Sequence, residues 1–169
     1  MEIKRAVSER SLTITWDDPR ASVEPGLRLP GIEYWRAIAG GEIPRPPSAW
    51  LLGIMVLEAD EGRTLFALTP GEQHYNPIGT VHGGIAATIL DSAMGAAVHT
   101  TLPAGWSCGT LDLSVRFMRP ISAETGRALC EGVVMHRGRS TATCEGRLWA
   151  ENSGKLLAHG TGTSVLRQL

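Results

Sequence analysis

A single carboxylate stands inside an apolar run. Between Glu72 and Asp112 the chain has no Asp, Glu, Lys or Arg except Asp91, which sits within a stretch, Gly83 to Val98, made almost entirely of Gly, Ala, Ile, Leu, Met and Val. A helix apolar on every side belongs in a core, where an unpaired acid is costly. An acid kept there is expected to be used, as a base or as a nucleophile. The plain alternative is a carboxylate hydrogen-bonded for structure. Just upstream lie His82, Gly83 and Gly84. A helix starting at Gly83 offers unpaired N–H groups and a partial positive charge, and glycine lets a ligand approach with no Cβ in the way. One such donor aimed at a forming oxyanion is worth about 3 kcal/mol. Gly83 and Asp91 are eight residues apart, about 12 Å along a helix. They cannot both reach one reacting carbon within one chain. If both act on it, a second copy supplies one of them.

These groups need elements to hold them. Residues 1–47 read as an extension. Ser11–Trp16 (SLTITW) is a strand candidate stopped by Asp17-Asp18-Pro19, and Gly31–Ala39 is a short helix ended by Gly40-Gly41. Pro47–Leu52 is a further short helix. Gly53–Ala59 and Arg63–Thr69 are strands joined by a Gly-containing turn, as in a hairpin. A loop with Asn76-Pro77 then delivers the chain to the central helix, from Gly83 to about His99. Four strand candidates follow: Cys108–Met118, Gly126–His136, Ser140–Ala150 and Lys155–Leu166. In the first, Leu111, Leu113, Val115 and Phe117 alternate with Thr110, Asp112, Ser114 and Arg116. The expected fold class is α+β: one domain over 1–169, with a core at 48–169. A four-strand antiparallel meander and the first hairpin wrap one long buried helix.

Composition narrows the partners. The chain has 169 residues, 20% charged, with a formal net charge of −1. That gives no electrostatic reason to expect nucleic acid or an anionic membrane. The N-terminus lacks a signal-peptide core, and the longest apolar run is too short to span a bilayer, so the expected location is cytoplasmic. Cys108, Cys130 and Cys144 form no CxxC pair and read as small buried hydrophobes. His74, His99, His136 and His159 lack metal-ligand spacing. No G-x-S-x-G is present, which argues against a serine hydrolase. Trp16, Trp35, Trp50, Trp106 and Trp149 read as packing residues, one of which can line a ligand pocket.

The pattern N-P-x-G-x-x-H-G-G, carried by Asn76, Pro77, Gly79, His82, Gly83 and Gly84, with Asp91 eight residues beyond Gly83, resembles the hotdog-fold acyl-CoA thioesterases of the phenylacetate-pathway (PaaI-type) group. The strand TLDLSVRFMRP, Thr110–Pro120, is similar to that group as well. The resemblance covers roughly 46–166. It implies a dimer with active sites at the interface, and dimers that pair again into tetramers. By this resemblance Asp91 is the catalytic carboxylate and the Gly83 N–H binds the thioester carbonyl. Asn76 and His82 order the loop and the reacting groups, Thr110 orients the acid or its water, and Gly84 lets substrate approach. Arg116, Arg119, Arg137 and Arg139 are candidates for the phosphates of coenzyme A; for Arg137 and Arg139 the plain reading is a solvated hairpin tip.

The resulting expectation is hydrolysis of an acyl- or aryl-CoA to free acid and CoA, with no metal or redox cofactor and CoA present only as part of the substrate. Two rivals stay open: a non-catalytic acyl-CoA sensor on the same fold, and a hotdog hydratase or dehydratase. Burial should raise the pKa of Asp91 and neighbouring donors should lower it, with the balance open.

Overall fold

A computed structural model describes residues 9–169. Three helices open it: α1 (Arg20–Arg28), α2 (Gly31–Gly40) and α3 (Pro47–Leu52). The hairpin β1 (Ile54–Asp60) and β2 (Arg63–Leu68) precedes the long helix α4 (Gly83–Thr100). Then come β3 (Trp106–Phe117), β4 (Ala128–Arg137), β5 (Thr141–Ala150) and β6 (Leu156–Gln168). All neighbouring strands are antiparallel, in the order β1-β2-β4-β5-β6-β3. This is the expected hotdog arrangement, a long helix held in a curved sheet. Among the described residues no helix is long and apolar enough to cross a membrane.

The sheet can close on α4 because its middle row carries no side chains there. Gly132 pairs with Gly146, and Gly146 with Gly160, so three glycines lie side by side across β4, β5 and β6. A Cβ on Gly132 would sit 2.3 Å from the Ala93 carbonyl oxygen, and one on Gly146 would sit 2.9 Å from Leu90. Next in the row is Thr64, fully buried, whose hydroxyl donates to that same Ala93 carbonyl at 2.8 Å. Ile89, Leu90, Ala93 and Met94 fill the core from the helix side. Helix backbone and sheet backbone therefore meet almost directly.

Three expectations need correction. Ser11–Trp16 joins no sheet; Leu12 to Thr15 line a groove with Trp50, Leu51 and Leu52 of α3, and Leu12 and Trp16 are exposed. Strand propensity does little without a partner strand. The four-strand meander shrinks to three strands, since β3 pairs with β6 and not with β4. The ten-residue link from Met118 to Arg127 contains Pro120 and a turn of 3₁₀ helix, too long for a tight hairpin. It carries the chain past β6 and β5 to reach β4. Thirdly, β3 does not keep one phase of alternation. Thr110 pairs with Ser164 and Asp112 with Thr163, leaving Leu111 as an extra residue in a bulge. Before the bulge Cys108 and Thr110 point at α4; after it Leu113 and Val115 pack on the core, and Leu111 is 60% exposed.

Candidate active site

Asp91 lies on the one side of α4 that the sheet does not cover. That stripe is built of Gly84, Ala87, Thr88, Asp91, Ser92 and Gly95, exposed or half-buried throughout. The expectation of a fully buried carboxylate is corrected accordingly. Half of the stripe is polar, and its small residues leave a shallow face that is not fully covered by the described residues. The Thr110 hydroxyl donates to Asp91 Oδ1 at 2.7 Å. The contact depends on the Leu111 bulge, which turns Thr110 toward the helix. Oδ2 has no hydrogen-bond partner among the described residues.

The thiols nearby are poor nucleophiles. Burial, helped by Cys144 and Asp91, pushes Cys108 up to about 11, and Cys144 is likewise pushed up to about 11 by burial and then Asp91. Burial pushes Cys130 higher still. Cys108 Sγ instead donates to the Gly95 carbonyl at 3.4 Å. At neutral pH none of the three supplies thiolate.

The second cluster stands at the start of α4. His82 is the N-cap residue: its Nδ1 accepts from the Gly84 N–H at 2.9 Å, and its carbonyl accepts from Ile85. The Gly83 N–H has no acceptor among the described residues, so one donor of the first turn is left open. Beside it runs a groove of about 350 Å³ lined by Thr80, Gly83, Phe117 and Arg119. The Phe117 ring would lie 3.1 Å from any Cβ at Gly83. Asn76 builds the approach to this helix. Its Oδ1 accepts from the N–H groups of Ile78 and Thr80, and its Nδ2 donates to the Thr80 hydroxyl. Gly79 sits at φ +81° within the same turn. Every side-chain hydrogen bond that Asn76 makes is to its own loop, with one Nδ2 N–H left over.

The predicted residues therefore form two groups. Asp91 and Thr110 meet, and Asn76, His82, Gly83 and Gly84 meet, two helical turns away. Arg137 and Arg139 are exposed at the β4–β5 turn. That turn is level with Thr110, since Val165 pairs with both Thr141 and Gly109. Arg116 is exposed at the far end of β3, opposite His159, and Arg119 donates to the Leu156 carbonyl at 2.7 Å.

Sequence reasoning missed Thr88 and Ser92. They share the uncovered stripe with Asp91 and line a pocket of about 50 Å³ together with Trp35, Leu52 and Phe66. Thr88 stands three residues before Asp91 and four before Ser92, the helical spacings that make neighbours, and that was the available signal.

Comparison with known proteins agrees with this fold. Residues 78–157 match the profile of the thioesterase superfamily. Human acyl-coenzyme A thioesterase 13 is 30% identical over 114 residues, 67% of this chain and 79% of that protein. A candidate esterase of Halobacterium salinarum is 33% identical over 99 residues; the match takes in 56% of this chain and spans 64% of the relative's length. Among solved structures, a phenylacetic acid degradation-related protein of Ralstonia eutropha JMP134 is 32% identical with a TM-score of 0.70, over 78% of this chain and 98% of that one.

Proposed function

The chain belongs to the thioesterase superfamily and is a thioester hydrolase, and from that premise we propose that it cleaves an acyl- or aryl-CoA to the free acid and CoA at a site shared by two copies. The observation that carries this reading is the Thr110–Asp91 hydrogen bond on the helix face left bare by the sheet. One carboxylate oxygen is held, and the other is free to take a proton or to attack. In the base route, water adds to the thioester carbon as its proton passes to Asp91 Oδ2. The carbonyl oxygen becomes an oxyanion facing the Gly83 N–H of the second copy. Collapse breaks the C–S bond, and the departing thiolate takes up the proton. In the nucleophile route Asp91 Oδ2 attacks the thioester carbon, the C–S bond breaks and CoA leaves as the thiolate; water then opens the mixed anhydride, which releases the acid, restores the Asp91 carboxylate and supplies the proton that the thiolate takes up. Asn76 and His82 are positioning residues: one fixes the turn before α4, the other occupies the Gly84 N–H and leaves Gly83 as the open donor.

The test is free-thiol release from aromatic, short and long acyl-CoAs, with Asp91→Asn alongside. Wild type is expected to release thiol, and the variant to lose about 10²-fold or more in kcat while still binding thioester. Binding without release by the wild type favours the sensor. Unchanged release by Asp91→Asn removes Asp91 from the chemistry.

A further inference from the structure

The small pocket beside Asp91 carries a charge that the reaction does not need. Its walls come from both halves of the chain: Trp35 from α2, Leu52 from α3, Ile54 and Phe66 from the first hairpin, Thr88 and Ser92 from α4. Trp35 and Phe66 meet edge to face at 5.8 Å, so this end is closed and apolar. With room for only a few water molecules' worth of atoms, the pocket suits a short acyl group. Thr88 and Ser92, three residues before and one after Asp91 on α4, bring one wall of the pocket onto the same uncovered stripe as the carboxylate.

Arg45 also lines this pocket, and it lines the wider groove of about 570 Å³ on the other side of the same wall. Its Nη1 donates to the Ile54 carbonyl at 3.1 Å, and its guanidinium carbon lies 3.8 Å from the centre of the Trp50 ring. Backbone and indole thus fix the plane of the fork while using one of its five N–H donors. Asp17 lines the outer groove but makes no ion pair with Arg45, and no carboxylate among the described residues does. A half-buried guanidinium with fixed orientation and spare donors is complementary to a carboxylate.

We propose that this pocket receives the acyl group and that Arg45 selects short acyl chains ending in a carboxylate over neutral chains of the same length. The inference rests on the thioesterase reading and adds the substrate class. It makes the N-terminal extension, through α2, α3 and Arg45, the specificity element of the enzyme.

The experiment compares kcat/KM for length-matched pairs, glutaryl-CoA against pentanoyl-CoA and succinyl-CoA against butyryl-CoA. Wild type is expected to favour the carboxylate-ended member by about tenfold or more, the return on one charge-assisted hydrogen bond. Arg45→Met should erase that preference by lowering kcat/KM for the carboxylate-ended member far more than for the neutral one, because only a charged terminus uses the spare donors. Arg45→Lys should retain part of the preference. The same pairs as N-acetylcysteamine thioesters, which carry no phosphate, should show the same ratio. Turnover of all members with no preference for the carboxylate overturns the inference and leaves the thioesterase reading intact. So does an Arg45→Met loss that is equal for both members with CoA and vanishes with N-acetylcysteamine, since Arg45 would then be meeting a CoA phosphate. No turnover of any thioester overturns both.

Discussion

Thr110 gives Asp91 one fixed hydrogen bond and nothing else in the described chain competes for it. Thr110→Val should therefore lower kcat by about tenfold, the value of one hydrogen bond to a charged group, while Thr110→Ser keeps most of it; steady-state thiol release checks both. A second residue-scale prediction concerns stability. His99 Nδ1 accepts from the Trp35 indole N–H at 3.1 Å, and burial holds the ring below the ordinary histidine value despite a hydrogen bond to the Trp106 backbone. His74, buried and accepting from the Gly71 N–H, is lowered in the same way. The unfolded chain titrates these rings near 6.5. Below that pH it binds protons the folded chain refuses, so stability is full above about pH 7 and falls on acidification. Urea midpoints should drop from pH 7 to pH 5, and His99→Gln should shrink the drop. Much at this scale was legible. Asp91 stood out by charge, and His82 with its glycines stood out by type. The direction of Thr110 was not legible, because strict alternation sends it away from the helix and the bulge at Leu111 leaves no mark in composition.

At the scale of elements, the glycine row sets how closely helix and sheet approach. Gly132→Ala places a methyl 2.3 Å from a backbone oxygen that cannot swing away; the expected loss is about 2–3 kcal/mol, as for other overpacked cores. Gly154→Ala is the control. It has open space but φ +64°, so only about 1 kcal/mol of strain is expected. Urea unfolding of the two variants separates close packing from backbone strain. The long helix, the first hairpin and strands β4 to β6 followed from periodicity and turn residues. α1 did not. Pro25 and Gly26 argue against a helix, and Asp18-Pro19 was read as a stop. In the structure Asp18 Oδ1 instead accepts from the Arg20 N–H, and Pro19 leads straight into the first turn.

For the whole molecule, the decisive fact is that Gly83 and Asp91 share one helix and cannot share one substrate atom. The free margin of β3, twelve residues long and with Leu111 and Phe117 exposed, supports pairing with a second copy. Asp91→Asn and Asn76→Ala, each inactive alone, should regain about a quarter of the wild-type sites when mixed and refolded together, since random pairing makes half the dimers mixed and each mixed dimer holds one intact site. No recovery despite proven subunit exchange would argue for a site within one chain. Sedimentation decides whether dimers pair again. Strand order was the least legible global feature, because nothing in β3 itself says which neighbour it will take. The three side-by-side glycines also constrain how this enzyme's substrate range can change. They seat α4 in a mould with no slack, so the acid cannot be slid toward a longer or bulkier substrate without breaking the fit. Any new preference has to be carved from the opposite wall, where α2 and α3 lie.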